Sequence, residues 1–335
     1  MSRRNETLPR RNETIQWCGA TIISEKHLVT AAHCIQNLRF IIIGAPVLAG
    51  HIVNGKYDYS EECTRQTRKI IQVQGHPCYC GGFECEGPGA PEVAKLLSWG
   101  QYDVAILTVD PPFVFNEFVQ PACLPESDAP IPVGTAVLTS GFGQVTYPNR
   151  TKPITLQSMT SYIMSQAKCN QTHGPYAPRL TDDMVCAGVP TGRISGCKGD
   201  SGGPMVVLAG KNGDRAVLHG VVSWGIDCGL GGMPSVYARV TEFLPWIHEM
   251  MTNPANESHD SLTQERCVRY LASLNKTETM TTTTTISWAT TGEEQPTTMA
   301  CVAGEGCSSA TTVAMSIKDV AFAFLSAVFL LSRFG

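Results

Sequence analysis

Three residues with the chemistry of nucleophilic catalysis stand in distinctive stretches of the sequence. His33 lies in LVTAAHC, Asp103 begins DVAIL, and Ser201 lies in GDSGGP. A serine hydroxyl attacks a carbonyl carbon usefully only when a base removes its proton as the bond forms. Histidine has a suitable pKa for that base, and a buried carboxylate fixes its tautomer and stabilises the imidazolium. The three residues therefore predict acyl transfer, with Ser201 as nucleophile, His33 as base and Asp103 as orienter.

These stretches, in this order, resemble those of the trypsin/chymotrypsin family of serine peptidases. Further segments fall in the family's order: QPACLP at 120–125, MVCAG at 184–188, VSWG at 222–225 and VYARV at 236–240. The resemblance covers about residues 17–253. It implies two antiparallel β-barrels with the active site in the cleft between them. One short motif could arise by chance, whereas the ordered set does not.

The resemblance also implies roles for other residues. The backbone N–H groups of Gly199 and Ser201 would form the oxyanion hole, which stabilises the charge that develops on the carbonyl oxygen. Asp200 would be the activation carboxylate, which pairs with the α-amino group created when a zymogen is cut. The segment Ser223, Trp224 and Gly225 would bind the substrate main chain.

Ser195, two residues before Cys197, corresponds to the base of the primary specificity pocket. Trypsin-like members have Asp there, so its absence argues against cleavage after Arg or Lys. Gly225 would leave one wall of the pocket open, and Ser235 would narrow its base. We expect an uncharged, medium to large apolar side chain before the scissile bond. An alternative is that Asp227, at the rim, attracts a basic residue.

The 14 cysteines indicate an oxidising compartment. The family pattern implies the disulfides Cys18–Cys34, Cys169–Cys186 and Cys197–Cys228. Cys63, Cys78, Cys80 and Cys85 lie in additional sequence between His33 and Asp103, and four cysteines allow three pairings. Cys123 has no cysteine upstream of Cys18 as a partner, and Cys267 is a possible substitute. The pairing of Cys301 and Cys307 stays open.

The elements that must position these residues read as an all-β domain. Short runs rich in β-branched residues, such as FIIIG, PMVVL and AVLHGVVSW, alternate with Gly, Pro, Asn and Asp, as expected for strands joined by turns. The predicted organisation is a polar non-family segment at 1–16, a peptidase domain at 17–253, a disordered Thr/Ser-rich stalk at 254–312 and a hydrophobic anchor signal at 313–335. Within the domain, the barrels are expected at about 17–115 and 120–240 and a C-terminal helix at 241–251.

The C-terminal region predicts attachment to a membrane. An apolar stretch at 320–331 is shorter than the roughly 20 residues that a spanning helix needs. Small residues from Ser308 onwards, a polar spacer and this tail fit a GPI signal. We therefore expect lipid attachment at Ser308, with a short membrane span or an accident of gene structure as alternatives. Sequons predict glycosylation at Asn149, Asn170, Asn256 and Asn275.

The N-terminal segment departs from the family pattern. It is polar and fits no signal peptide, and no apolar pair followed by glycines, as at a family activation site, precedes Cys18. The first strand of the N-terminal barrel is also expected to be missing. One explanation is a true N-terminus upstream of Met1; the rival is an isoform without catalytic activity.

The sequence as a whole predicts an extracellular serine endopeptidase, either at the cell surface or secreted. Its partners would be protein or peptide substrates, proteinaceous serine protease inhibitors and the membrane. A net charge of −4 gives no indication of nucleic-acid binding, and no cofactor or metal is expected. The alternatives are a catalytically inactive binding protein with a peptidase fold, and a mucin-like stalk protein. The intact triad argues against both.

Overall fold

The structure is a computed structural model. It describes residues 14–36, 42–50, 52–53, 56–57, 65–79, 100–116, 118–126, 130–144, 153, 156–174, 180–189, 195–210, 213, 215–226, 228, 233–252, 267 and 326–332. Several predicted features lie outside these residues: the stalk apart from Cys267, most of the N-terminal segment, Asp227, Ser308, the sequons at Asn149, Asn256 and Asn275, and the cysteines at 63, 80, 85, 301 and 307.

The described part of the chain is mostly β-structure. The strands, numbered β1 to β14, span Thr14–Ile22, His27–Thr30, Pro46–Ala49, Ile52–Val53, Lys56–Tyr57, Gln66–Gly75, Ala105–Asp110, Ala136–Gly141, Gln157–Met164, Met184–Gly188, Pro204–Ala209, Arg215–Trp224, Ser235–Arg239 and Ser326–Ser332. A 3-10 helix spans Ala32–Cys34, and two α-helices, α1 and α2, span Gln166–His173 and Val240–Thr252. Strand β1 begins three residues before the predicted start of the domain at 17, and α2 matches the expected helix to within one residue at each end.

Two closed antiparallel barrels are formed, which confirms the predicted fold class. The first has the strand order β1-β14-β3-β6-β7-β2 and the second β10-β13-β12-β11-β8-β9, while β4 and β5 form a separate two-stranded sheet. Apolar strands such as β7, in which Ile106, Leu107 and Val109 are fully buried, supply the core. One buried cluster extends from the first barrel through Val221 of the second to Phe243 of α2. The barrels therefore pack on each other and on the helix.

The strand register brings the ends that matter for chemistry to one edge of each barrel. In the first barrel, the antiparallel pairing of Thr30 with Ala105 places the exit of β2 beside the entry of β7. His33 follows that exit by three residues, and Asp103 precedes that entry by two. In the second barrel, Pro204 at the start of β11 pairs with Val221 near the end of β12. Four chain segments that carry candidate site residues are thus gathered by two strand pairs.

The C-terminal strand β14 belongs to the first barrel, which differs from the prediction of a separate anchor at 313–335. It pairs antiparallel with β1, from Thr14 opposite Ser332 to Thr21 opposite Ser326, and with β3, where Val328 lies opposite Leu48. Unpaired strand edges leave N–H and C=O groups without partners. A short apolar segment can satisfy both edges, which gives a physical reason for its position. None of the helices in the described ranges is both long and apolar enough to cross a bilayer.

Candidate active site

His33 is held by its backbone as well as by its ring. It sits in the 3-10 helix that follows β2, and the disulfide from the next residue, Cys34, to Cys18 ties this helix to β1. The His33 N–H donates to Asp103 Oδ1 at 2.9 Å, and His33 Nδ1 lies 2.7 Å from Asp103 Oδ2. One carboxylate therefore engages the histidine twice, which fixes the ring with Nε2 as the nitrogen available for proton transfer.

Asp103 is buried, and its charge is maintained by hydrogen bonds. Burial by itself would raise the pKa of this carboxyl group. The charge of His33 and hydrogen bonds from the His33 ring, the Ser223 hydroxyl and the His33 backbone outweigh that effect, so the pKa of Asp103 lies below its ordinary value. Ser223 Oγ donates to Asp103 Oδ2 at 2.5 Å. Asp103 is thus a carboxylate throughout the neutral pH range.

The same pair changes the basicity of His33. Burial tends to lower the pKa of the imidazole, but the charge and the hydrogen bond of Asp103 raise it, and the net shift is upward from 6.5. A histidine whose conjugate acid is stabilised accepts a proton more readily, which suits a general base that must become positively charged during the reaction.

Ser201 lies in a tight turn that packs directly on the segment leading to His33. The N–H of Gly19 in β1 donates to the Ser201 carbonyl at 2.8 Å, and the N–H of Gly202 donates to the Val222 carbonyl at 2.8 Å. A Cβ at Gly202 would overlap Thr30 Oγ1 and come within 3.1 Å of the Ala31 nitrogen. Only a glycine permits this approach, which brings the Ser201 turn of one barrel against the His33 segment of the other.

Asp200 points its carboxylate into a pocket lined by backbone. Oδ1 accepts from the Gly143 N–H at 2.8 Å, and Oδ2 accepts from the Cys197 N–H at 2.9 Å. A Cβ at Gly141 or Gly143 would overlap this carboxylate, so both glycines are required for its position. Because Gly199, with φ +105, precedes Asp200 directly, the orientation of Asp200 is coupled to the turn that presents the N–H groups of Gly199 and Ser201.

A comparison with protein families decides the relationship. The family profile named Trypsin matches residues 7–247. The chain belongs to the trypsin family. Similar proteins include transmembrane protease serine 9 of Rattus norvegicus, 32% identical over 75% of this chain and 21% of its own. Transmembrane protease serine 11G of Rattus norvegicus is 31% identical over 70% of this chain and 49% of the relative. Transmembrane protease serine 5 of Homo sapiens is 33% identical over 69% of this chain and 46% of the relative. The chain thus matches less than half the length of each of these relatives.

The residues that the trypsin-family resemblance assigns to the primary pocket lie close together. The Gly196 N–H donates to Ser235 Oγ at 3.3 Å, next to Ser195, and the disulfide Cys197–Cys228 closes the adjacent loop. A Cβ at Gly225 would be 4.0 Å from the Ser235 Cα. Ser223 and Trp224 end strand β12 beside Asp103.

Four disulfides join described cysteines. Cys18–Cys34, Cys169–Cys186 and Cys197–Cys228 are the pairs that the resemblance implies. The fourth, Cys78–Cys267, links the loop after β6 to the region beyond α2. Cys267 therefore does not pair with Cys123, and the suggested substitution is wrong. Sequence separation gave no means of choosing between the two, because pairing depends on which loops the fold brings together.

Among the residues that the structure describes, two groups of cysteine and histidine have side chains close enough together to hold a metal ion: Cys18, His33 and Cys34, and Cys169, His173 and Cys186. In both, the cysteines are joined in a disulfide. A disulfide sulfur offers no thiolate to a metal. These groups are therefore side chains packed around disulfides, and they carry no argument for a metal centre.

One hydrogen bond of the site was not predicted from the sequence. The Ser223 hydroxyl donates a hydrogen bond to Asp103, although only the backbone of Ser223 was expected to act. The position of Ser223 in VSWG gave no separate signal for this bond.

Asn170, a predicted glycosylation site, lies in α1 with Oδ1 accepting from the Leu180 N–H at 3.2 Å. That bond uses the side-chain oxygen and leaves the amide nitrogen, to which the predicted glycan would be attached.

Proposed function

We propose that this trypsin-family chain is a serine endopeptidase that works outside the cell on protein or peptide substrates. The observation that carries the proposal is the arrangement of Asp103 around His33, with two hydrogen bonds of 2.7 and 2.9 Å, beside a glycine-rich turn that presents Ser201. The alternative of an inactive binding protein has no comparable support, because this costly buried carboxylate serves the histidine directly.

In the proposed mechanism, Ser201 Oγ attacks the carbonyl carbon of the scissile bond. His33 Nε2 accepts the hydroxyl proton, and the resulting imidazolium is stabilised by the Asp103 carboxylate. The N–H groups of Gly199 and Ser201 stabilise the oxyanion. His33 then gives its proton to the leaving amine. In the second half of the reaction, water attacks the acyl-enzyme with His33 as its base, and His33 returns the proton to Ser201 Oγ as the acid product leaves.

The activity depends on the Asp200 carboxylate remaining in its backbone pocket. Two N–H donors support that position, and the family resemblance implies that an α-amino group created by cleavage pairs with the same carboxylate. A chain that begins with a different N-terminus is therefore expected to differ in activity. Producing the chain with an apolar N-terminal residue at varied positions before Cys18, and measuring labelling rates, would test this dependence.

The primary pocket is proposed to accept an uncharged, medium to large apolar side chain. Its support is the serine at 195, where a carboxylate would be needed for Arg or Lys, together with Ser235 at the base. Cleavage of a peptide library should show apolar residues before the scissile bond. The Ser195→Asp variant should shift this preference toward Arg and Lys, whereas a wild type that already prefers basic residues would contradict the assignment.

The primary test is covalent labelling of Ser201 by a fluorophosphonate probe. The chain is produced in a secretory host beside its Ser201→Ala variant, and both are checked for folding by circular dichroism. Labelling of the wild type alone supports the proposed enzyme. Labelling that persists in Ser201→Ala contradicts the nucleophile assignment, and a folded wild type that does not react contradicts the activity.

We also propose attachment to the outer face of the cell membrane through a GPI anchor at Ser308. Removal of the tail at that residue would also remove β14 from the first barrel, so the two uses of the C-terminus exclude each other in one molecule. Phospholipase should release the mature protein from cells without its last 27 residues. Retention after treatment would favour a peptide span, and recovery of a peptide from 326–332 in released protein would show that β14 is kept.

We propose N-glycosylation at Asn149, Asn170, Asn256 and Asn275. Glycosidase treatment of the wild type and of the four Asn→Gln variants tests it.

Proteinaceous serine protease inhibitors are further proposed partners. Such inhibitors present an extended loop to the substrate cleft, so the end of strand β12 at Ser223 and Trp224 would pair with their main chain as it would with a substrate. Competition between an inhibitor and the fluorophosphonate probe would test this partner class.

A further inference from the structure

The residue before Asp103 has an unusual backbone. Tyr102 has φ 60, and within the ranges that the structure describes it is the one non-glycine residue in the left-handed region. A bulky side chain is unfavourable in that conformation, so the surrounding structure must hold it there. Because the dihedral angles of Tyr102 set the direction of the chain as it enters Asp103, whatever holds Tyr102 also aims the Asp103 carboxylate.

A carboxylate from the second barrel holds the backbone of Tyr102. The Tyr102 N–H donates to Asp183 Oδ2 at 2.7 Å, although the two residues are 81 positions apart. Asp183 lies immediately before β10, and Tyr102 lies shortly before β7. This bond therefore connects the two barrels within one residue of Asp103.

Asp183 is itself fixed by other bonds. Thr181 Oγ1 donates to its second carboxylate oxygen at 2.5 Å, and the Arg239 N–H donates to its carbonyl oxygen at 2.8 Å. The side chain is buried. Burial raises the pKa of Asp183 above its ordinary value. The hydrogen bonds from Thr181 and Tyr102 and the charge of Arg239 act in the opposite direction but do not reverse the shift. A buried carboxylate with a hydrogen bond to each of its oxygens is a rigid acceptor for the Tyr102 N–H.

The ring of Tyr102 is held from the other side. It stacks on His76 with centroids 4.7 Å apart and an interplanar angle of 9°. His76 in turn contacts the rings of Phe243 and Trp246 of α2. Burial lowers the pKa of His76 to about 3, so this ring remains neutral at the pH values where a histidine base works. The packing restrains the side chain, while Asp183 restrains the backbone.

We infer that Asp183 is a positioning residue for the proposed catalytic Asp103. By accepting from the Tyr102 N–H, it maintains the left-handed turn that directs the Asp103 carboxylate toward the His33 ring. The inference rests on the proposed function and adds to it a residue outside the triad. Asp183 touches neither His33 nor the reacting atoms, so its effect is carried through Tyr102 and Asp103.

The experiment compares Asp183→Ala, Asp183→Asn and Asp182→Ala in the full chain. Asparagine keeps an oxygen for the Tyr102 N–H and can bond to the Thr181 hydroxyl, whereas alanine removes the acceptor. Asp182 is the adjacent, exposed aspartate and serves as the matched control. The rate constant of fluorophosphonate labelling is measured across the pH range.

A misplaced orienter slows the reaction and weakens the support of the imidazolium. Asp183→Ala should label roughly 10- to 100-fold more slowly, and its labelling should reach half of its maximum at a lower pH than in the wild type. Asp183→Asn and Asp182→Ala should keep the wild-type midpoint. A general loss of stability would reduce the labelled fraction in Asp183→Ala without moving that midpoint.

Each outcome bears on the inference. If Asp183→Ala is not folded, Asp183→Ser takes its place. The serine side chain is one bond shorter than that of aspartate, so its hydroxyl does not reach the Tyr102 N–H. A folded Ala or Ser variant with the wild-type rate and midpoint overturns the inference while the proposed function stands. An Asn variant as impaired as the Ala variant also overturns it. A folded wild type that does not label overturns the proposed function, and this inference with it.

Discussion

Ser223 Oγ donates a hydrogen bond of 2.5 Å to Asp103 Oδ2, across a separation of 120 residues in the chain. This is the same oxygen that lies 2.7 Å from His33 Nδ1. The Ser223 hydroxyl therefore keeps the Asp103 carboxylate charged and restricts its rotation. Asp103 Oδ1 is thereby held where it accepts from the backbone N–H of His33. Strand β12, which is expected to bind the substrate, is coupled in this way to the catalytic carboxylate.

Replacing Ser223 with alanine should slow labelling by roughly 10- to 100-fold, since a hydrogen bond to a charged group contributes about 1.5–3 kcal/mol. Its loss also removes one of the bonds that lower the pKa of Asp103. The control is Ser158→Ala, an exposed serine in β9 of the same barrel. Labelling rate constants measured at pH 8 decide the point. Equal rates for wild type and Ser223→Ala would show that His33 alone holds the carboxylate.

The labelling rate should rise with pH through a midpoint above 6.5. His33 must be neutral to accept the Ser201 proton, and its pKa is raised from 6.5 by Asp103. In Asp103→Asn, the plateau should fall by about 10⁴-fold because the imidazole loses its correct tautomer. A wild-type midpoint below 6.5 would contradict the stabilised imidazolium.

The His33–Asp103 pair should also make stability depend on pH. The raised pKa of His33 contributes stability that is fully present below 6.5 and is lost as pH rises through the folded-state value. The lowered pKa of Asp103 contributes stability that is present above 3.8 and is lost as pH falls through its folded-state value. The difference in Tm between wild type and His33→Ala should therefore favour the wild type more at pH 5 than at pH 9. A difference that does not change with pH would contradict this linkage.

Gly143→Ala should disrupt the Ser201 turn. The new Cβ would overlap the Asp200 carboxylate, which would have to leave its two backbone donors, and Ser201 is the next residue. We expect a loss of stability of about 1–3 kcal/mol and labelling slowed by roughly 100-fold. Gly75→Ala is the matched control, because its nearest contact would be Ile35 Cδ1 at an ordinary 3.5 Å. Retention of the wild-type labelling rate in Gly143→Ala would show that Asp200 need not occupy this pocket.

The disulfide Cys78–Cys267 should stabilise the domain without contributing to its chemistry. It closes a sequence separation of 189 residues, and disulfides that close long loops typically contribute about 2–4 kcal/mol. The double variant Cys78→Ser with Cys267→Ser should unfold at a lower urea concentration, while its labelling rate below the transition stays at the wild-type value. Peptide mapping of the wild type checks the pairing directly, and a Cys123–Cys267 peptide would contradict it.

Local sequence was sufficient for the triad frames and for an all-β domain, whereas the two barrels were implied by the family resemblance. The stretches around His33 and Ser201 can be recognised from residue type and close spacing, although the glycine at 202 is required by a distant segment, at Gly19 and Thr30. Strands were predicted where runs of β-branched residues lie between turn residues. PMVVL and AVLHGVVSW lie in β11 and β12, whereas the described part of FIIIG, residues 42–44, lies outside the strands. The helix α2 followed from its predicted apolar face, of which Phe243, Leu244 and Ile247 are buried.

Long-range relationships needed the tertiary structure. The bonds from Ser223 to Asp103 and from Asp183 to Tyr102 join residues 120 and 81 positions apart, and nothing in the local stretches distinguishes these polar side chains from solvent-exposed ones. The Cys78–Cys267 pairing and the position of β14 between β1 and β3 depend on which loops and edges the barrels bring together. The sequence by itself therefore determined which residues have the required chemistry, because residue type and nearby spacing are local properties. Only the tertiary structure decided what positions them, because hydrogen bonds between distant segments form only where packing places donor and acceptor within about 3 Å.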